Sequence, residues 1–411
     1  MTQQEAPNQH SHWNIETTLV HSGRGKQSDG TPGGIPTVQP IYATTTYTHA
    51  STEKLDQAFS GTTTDGEMAY VYARQGNPST SSFEETMTQV EKGVGAVACS
   101  SGMAAIHIAL LAAGLTTGAK IVASQDLYGQ TITLIRKLFS TVGAQLVLTD
   151  LSTPKAIDVI REEEPDIIFA ETVSNPLVKV ADLAAISAVA HEVNATTIID
   201  STFSTPYILR PIEHGCDLVV HSATKYLGGH GDSTGGIVIS ATNVLLDQLR
   251  AFRTLTGATL SPFESHLLQR GLRTLPLRME RHCQNALQVA QYLQGHPAVE
   301  RVYYPGLLEH PQHALARQQA EQELYGGLLS FELKEQSREA VFRFMNRLQL
   351  CISATSLGDV FTLISYPPIS SHRNQSAAEL QKMGIHAGCI RISVGVEKCE
   401  DIIHDLAQAL A

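Results

Sequence analysis

The chain has no C-x-x-C pair among its six cysteines, Cys99, Cys216, Cys283, Cys351, Cys389 and Cys399. At 411 residues it can bury a core large enough to need no disulfide scaffold, so free buried thiols are expected. It also lacks any run approaching eighteen apolar residues, roughly the length that spans a bilayer. Residues 1–13 are polar and hold no apolar segment of signal-peptide type, so the expected location is the cytoplasm. Positive charge is scarce: Lys+Arg 29 against Asp+Glu 40 gives a net charge of −11. Without a basic block, neither a nucleic acid nor a membrane surface is an expected partner. No G-x-G-x-x-G follows the first predicted strand, which argues against a nicotinamide-dependent oxidoreductase. No internal repeat, low-complexity tract or metal-ligand pattern is present, and no metal is expected.

What is present has the balance of a globular enzyme, with 42% hydrophobic and 17% charged residues. At this length one core usually splits, so two domains are expected. Residues 1–75 hold "GRGKQSDGTPGG", "PIYATTTYTH" and "SGTTTDGEM". They read as a weakly structured arm, frayed over residues 1–14 and packing on a neighbouring subunit. Over residues 76–260, short apolar runs alternate with helical stretches. The runs are 94–99, 119–124, 144–150, 166–171, 196–200, 217–222 and 235–240. This pattern predicts an α/β domain on a mostly parallel seven-stranded sheet. Residues 261–411 begin with a long helical stretch broken at Gly271 and Pro276. They then alternate strands such as "GGLLSFEL" and "GCIRISVG" with helices, a smaller α+β domain.

Ligands of such sheets sit beyond the carboxyl ends of the strands. Ser101, Tyr128, Glu171, Asp200 and Ser222 all fall there. "HSATKYLGGHGD" places Lys225 between hydroxyl residues and glycines. A desolvated lysine becomes a nucleophile for Schiff-base chemistry, and Ser222 and Thr224 are candidate donors to a phosphate. Lys225 alone would read as a surface-turn residue. Asp200, ending "TTIID", changes that reading, because a carboxylate there can keep a heterocyclic nitrogen protonated. Capping of the next turn is the plainer role for Asp200. "SSGMAA" offers an anion site at a helix N-terminus through Ser101, Gly102 and Met103. "YVYARQGNPST" reads as extended, with Tyr72 and Arg74 on one side and the arginine suited to phosphate. Tyr128 offers a ring for stacking or for the core. Arg391, inside the apolar strand "IRISVGVE", calls for a carboxylate such as that of an amino acid.

Together these segments resemble the cysteine/methionine-metabolism branch of fold-type I pyridoxal-phosphate enzymes, which includes cystathionine γ-lyases, cystathionine γ-synthases and methionine γ-lyases. The resemblance runs from "HSG" at residues 21–23 to "RISVGVE". It implies pyridoxal 5′-phosphate on Lys225, Asp200 at the ring nitrogen, and Tyr128 stacked on the ring and aiding proton transfer. Ser101, Gly102, Met103, Ser222 and Thr224 would form the phosphate cradle. Tyr72 and Arg74 would reach it from the neighbouring subunit of a homotetramer built as a dimer of dimers. Asn175 in "ETVSNP" would lie near the phenolic oxygen and the substrate carboxylate. Arg391 and the Ser356–Leu357 backbone would hold that carboxylate. The reaction implied is γ-elimination on methionine or cystathionine, giving a 2-oxo acid, ammonia and a thiol. γ-Replacement of the cystathionine γ-synthase or O-acylhomoserine sulfhydrylase type is the alternative. A noncatalytic protein on this scaffold would keep Lys225, Asp200, Tyr128 and Arg391 for no chemistry.

Three positions depart from the family pattern. Gln130 stands where methionine γ-lyases resemble each other in carrying cysteine. Thr355 stands where many cystathionine-handling relatives carry glutamate, and it cannot pair with a distal ammonium as a carboxylate would. Tyr366 in "YPPISSHR" replaces a histidine, with a reshaped active-site mouth as the expectation.

Overall fold

The computed structural model describes residues 13–24, 36–60, 69–373 and 375–411. The seven predicted strands form one sheet: β1 (Gly95–Cys99), β2 (Lys120–Ser124), β3 (Gln145–Thr149), β4 (Ile167–Glu171), β5 (Thr196–Asp200), β6 (Leu218–Ser222) and β7 (Gly236–Ser240). Their order is β1-β7-β6-β5-β4-β2-β3, with only β7 antiparallel to its neighbours. The runs are apolar throughout because both faces are covered. In β4, Ile168 and Ala170 enter one core while Ile167 and Phe169 enter the other. Helices cross over between the parallel strands, so the carboxyl ends of β4, β5 and β6 line up along one edge.

The smaller sheet has order β10-β11-β12-β9-β8. Its strands are β8 (Val299–Tyr303), β9 (Leu328–Leu333), β10 (Ile352–Ser353), β11 (Leu363–Ser365) and β12 (Cys389–Ser393). β10 and β11 escape a sequence reading because two- and three-residue strands carry no measurable alternation. The long helical stretch splits into Pro262–Leu272 and Leu275–Gln294, and Pro276 lies in the first turn of the second helix, where its missing N–H costs nothing. The first of these helices approaches the lysine loop closely. A Cβ on Gly271 would lie 2.4 Å from the Gly228 carbonyl.

The amino-terminal segment is better formed than its composition suggests. Helices occupy Ile15–His21 and Thr52–Phe59, and the Asn14 carbonyl accepts the Thr18 N–H, so residues 13 and 14 belong to folded structure. The rest of the predicted fraying, and most of the "GRGKQSDGTPGG" and "SGTTTDGEM" runs, lie outside the described residues. All six cysteines are buried and unpaired. Among the described residues no helix is long and apolar enough to cross a membrane, and no group of three His, Cys, Asp or Glu side chains is arranged to hold a metal ion.

Candidate active site

The β6–β7 connection turns tightly on its own backbone. The Lys225 N–H donates to the Ser222 carbonyl at 3.1 Å, and the Gly229 N–H to the Lys225 carbonyl at 2.8 Å. The Lys225 side chain leaves this loop toward the small domain, where Nζ donates to Ser356 Oγ at 3.0 Å. Burial, aided by the Arg391 charge, holds its pKa below the ordinary lysine value, and Asp359 opposes them. A larger neutral fraction follows, which is what a nucleophilic amine needs.

Asp200 closes the turn after β5. Its Oδ1 accepts the Thr202 N–H at 3.0 Å and the Thr202 hydroxyl at 2.5 Å. Thr202 Oγ1 in turn accepts the Ser222 N–H at 2.9 Å, so Asp200 and Ser222 are coupled through one threonine. Both bonds to Asp200 end on Oδ1, which leaves Oδ2 for another donor. The turn-closing role and a ligand-binding role are therefore compatible. Burial raises the Asp200 pKa, against the Thr202 hydrogen bonds and His221.

Ser101 caps the helix Gly102–Ala112, its Oγ accepting the Ala104 N–H at 3.1 Å. A Cβ on Gly102 would lie 2.8 Å from Ser222 Cβ and 2.9 Å from its Oγ, and one on Gly236 would lie 2.1 Å from the Ser101 carbonyl. Glycine at both places lets the free amides of the helix start, Gly102 and Met103, sit against the Ser222 hydroxyl. That is a cradle suited to phosphate. The Thr224 hydroxyl accepts the Gly235 N–H at 3.1 Å and so braces the far side of the lysine loop.

Arg391, on β12, is buried. Its Nη1 donates to Asn175 Oδ1 at 3.1 Å, and its Nη2 to the carbonyls of Ser356 at 3.1 Å and Thr355 at 3.3 Å. Its Nε has no partner. The carboxylate that sequence reasoning calls for does not come from the chain: the partners are neutral oxygens. Burial lowers the Arg391 pKa to about 10. A buried cation in that condition is suited to an incoming anion. Leu357 is buried beside this segment, whereas Thr355, and Gln130 in the first turn of the helix Gly129–Leu134, are exposed. Tyr128, just before that helix, is 41% exposed and donates its backbone N–H to Glu171 Oε1 at 2.7 Å.

Two expectations change. Tyr72 and Arg74 do not share one side of an extended segment: residues 72–75 form a turn, with the Gln75 N–H bonded to the Tyr72 carbonyl at 2.9 Å. The turn still brings the Arg74 guanidinium to 5.7 Å from the Tyr72 ring, with Nη1 on the Thr254 carbonyl. Tyr366 belongs to the small-domain core and donates its hydroxyl to the Ala387 carbonyl at 2.8 Å, so it fills space there rather than reshaping a mouth.

The sequence reading missed several contacts. Buried Arg278 grips the lysine loop, Asp359 acts on Lys225, and the Ser356 hydroxyl, not just its backbone, meets Lys225. His372 is buried with Nε2 unpartnered and its pKa lowered to about 4, by burial first and Arg391 second. "SHR" was the only signal for it.

The lysine, the strand-end aspartate and the anion cradle at the carboxyl edge of the large sheet, faced by a buried arginine from the small one, are the arrangement of a fold-type I pyridoxal-phosphate enzyme. The model of the Cys/Met metabolism PLP-dependent enzyme family matches residues 16–411, and the chain belongs to that family. An L-methionine gamma-lyase of Fusobacterium nucleatum subsp. polymorphum is 40% identical over 401 residues, 97% of this chain and 98% of the relative. A cystathionine beta-lyase of Lactococcus lactis subsp. cremoris (strain MG1363) is 40% identical over 396 residues, 96% of this chain and 98% of the relative. The crystal structure of cystathionine gamma synthase from Xanthomonas oryzae pv. oryzae, in complex with aminoacrylate and cysteine, superposes with a TM-score of 0.88. It is 34% identical and covers 97% of this chain and 98% of its own. The chain is thus a PLP-dependent enzyme acting on sulfur amino acids. Lyases and a synthase match it alike, so its relatives do not single out elimination.

Proposed function

We propose that the chain works at the γ-carbon of a sulfur-linked amino acid or its homoserine-derived precursor. Lys225 carries the cofactor and then serves as the base at Cα. Ser356 is the observation that supports this most directly. Its hydroxyl takes the Lys225 amine at 3.0 Å and its carbonyl takes Arg391 at 3.1 Å. One residue therefore sets the distance between a reactive nitrogen and a carboxylate fork, as an α-amino acid requires.

When bound, the cofactor supplies the electron sink for charge developing at Cα. Asp200 would hold the ring nitrogen, Tyr128 would cover the ring, and Ser101, Gly102, Met103, Ser222 and Thr224 would take the phosphate. Asn175 and Arg391 with the Ser356–Leu357 backbone orient the substrate carboxylate. The Lys225 amine would move the proton from Cα. Thr355 and Gln130 line the approach of the leaving group. Tyr72 and Arg74 complete the phosphate site of a partner subunit, and two such dimers make a tetramer.

γ-Replacement by a thiol is favoured by the likeness to a γ-synthase, also solved in complex with cystathionine. γ-Elimination is the second reading, favoured by the methionine γ-lyase relatives. The deciding assay offers methionine, cystathionine, homocysteine and O-acylhomoserines, each with and without cysteine. Replacement predicts a thioether when cysteine is present and 2-oxobutanoate only when it is omitted. Undiminished 2-oxobutanoate in the presence of cysteine makes elimination the function, and no turnover of any of these substrates ends the γ-carbon reading.

A further inference from the structure

Two carboxyl groups stand side by side at the carboxyl edge of the sheet. Glu171 ends β4, Asp200 ends β5, and they are direct partners in the parallel register. Asp200 has two donors from Thr202 on its Oδ1. Glu171 has one, the Tyr128 backbone N–H on Oε1, and its Oε2 is buried with no partner. Burial and the Asp200 charge push the Glu171 pKa well above the usual carboxylate range. Neighbouring carboxyls in a dry site do not both ionise readily. Hydrogen-bond donors favour the charged form, so the charge falls to Asp200 and the proton to Glu171.

Tyr128 depends on this contact. Its carbonyl serves the Thr131 N–H at 2.8 Å, and no side chain caps the helix it begins. Tyr128 is among the more exposed aromatic residues of those described, so its place is set through its backbone. We infer that Glu171 is a positioning residue for Tyr128, whose backbone its Oε1 pins beside Asp200. The inference rests on Tyr128 as the ring that covers the cofactor. It adds a residue that acts on that ring from the neighbouring strand end without touching substrate.

The test compares E171Q, E171L, Y128A and E171L/Y128A in the holoenzyme. Its readouts are hydrogen exchange of the Tyr128 amide, cofactor affinity on re-titration of resolved enzyme, and the pH dependence of the cofactor's visible absorbance. In wild type the Tyr128 amide should be protected, and an unprotected amide overturns the proposal. E171L should deprotect that amide and weaken cofactor binding roughly threefold to tenfold, the range of one neutral hydrogen bond. E171Q keeps an acceptor oxygen and no charge, so it should restore protection and leave the absorbance pH profile in place. A shifted profile in E171Q would show that Glu171 works as a carboxylate. Adding E171L to Y128A should cost no further affinity, whereas additive losses mean that Glu171 acts by another route. Y128A alone reads the ring assignment: unchanged affinity and spectrum there would remove Tyr128 from the cofactor, a failure distinct from that of the Glu171 tether.

Discussion

Arg278 Nη1 donates to the Tyr226 carbonyl at 2.6 Å, so the helix Leu275–Gln294 holds the peptide that follows Lys225. The same guanidinium reaches the Gly271 carbonyl at 2.8 Å and the Leu227 carbonyl at 3.4 Å. A Cβ on Gly229 would lie 2.1 Å from Nη1, so glycine is required where the loop passes. R278M leaves buried carbonyls without donors, and hydrogen bonds to a charged group contribute about 1.5–3 kcal/mol each. The expected loss is about 3 kcal/mol or more, read as a lower Tm, with faster cofactor loss on dialysis. A variant as stable and as well loaded as wild type would show that the lysine loop holds itself.

Lys225 and Arg74 give a complementation test. K225A should lose the cofactor's visible absorbance and slow turnover by about a thousandfold or more, from the scale of acid–base catalysis. R74A should lose affinity for the phosphate. In its own chain Arg74 is spent on the Thr254 carbonyl and the Tyr72 ring. Mixed under subunit exchange, two inactive proteins should regain activity, because some sites inherit wild-type residues from both. Confirmed exchange with no recovered activity would place Arg74 in its own subunit's site.

Thr355 sets the third expectation. A glutamate here would meet a distal ammonium, and Glu397, a second acid of this domain, is engaged elsewhere. Glu397 accepts the Thr362 N–H at 2.6 Å and its hydroxyl at 2.8 Å. Asp359 is buried with Oδ1 unpartnered, and its charge acts on Lys225. Neutral-tailed substrates should therefore compete with cystathionine. T355E should shift the kcat/KM ratio toward cystathionine by about tenfold to a hundredfold, the size of a charged hydrogen bond of about 1.5–3 kcal/mol. A wild-type preference for cystathionine beyond about a hundredfold would reveal another reader of the amine.

His282 makes acid stability predictable. It is buried, its Nδ1–H donates to the Val394 carbonyl at 2.6 Å, and its Nε2 has no partner. Burial lowers its pKa from 6.5 to about 4. The unfolded chain thus binds this proton between pH 6.5 and 4 while the folded chain does not. Stability from this group is complete above pH 6.5, falls as pH drops through that window, and levels off below about pH 4. The size is on the order of 3 kcal/mol. H282N keeps a donor for Val394 and cannot titrate, so its Tm should fall less between pH 6.5 and 4 than that of wild type. Parallel curves would mean that His282 does not resist protonation.

The site residues that carry a signal in the sequence are those whose residue type stands out against its local pattern. Lys225 between hydroxyls and glycines, Asp200 closing "TTIID", and Arg391 in an apolar strand are of this kind. The seven-stranded sheet is equally visible, because doubly buried strands leave unbroken apolar runs. Residues whose meaning depends on a distant partner are not visible. Arg278 looks like any helix arginine until its carbonyls are known, and Glu171 like any strand-end acid until Tyr128 docks on it. Tyr72 and Arg74 misled because alternate spacing implies one face only if the chain is extended, and the turn at residues 72–75 breaks that premise. Tyr366 misled because a family position was read as a site position, whereas the ring faces Phe342 in the small-domain core.

The placement of β7 bears on how the protein is made. β1 joins the large sheet only through β7, and a Cβ on Gly236 of β7 would strike the Ser101 carbonyl. β7 also lies along β6, next to Ser222. The two halves of the proposed phosphate cradle are therefore brought together by a strand that leaves the ribosome after both of them. If that cradle takes the cofactor's phosphate as proposed, a nascent chain stopped short of residue 236 has Lys225 but no assembled cradle, and cofactor capture waits for β7.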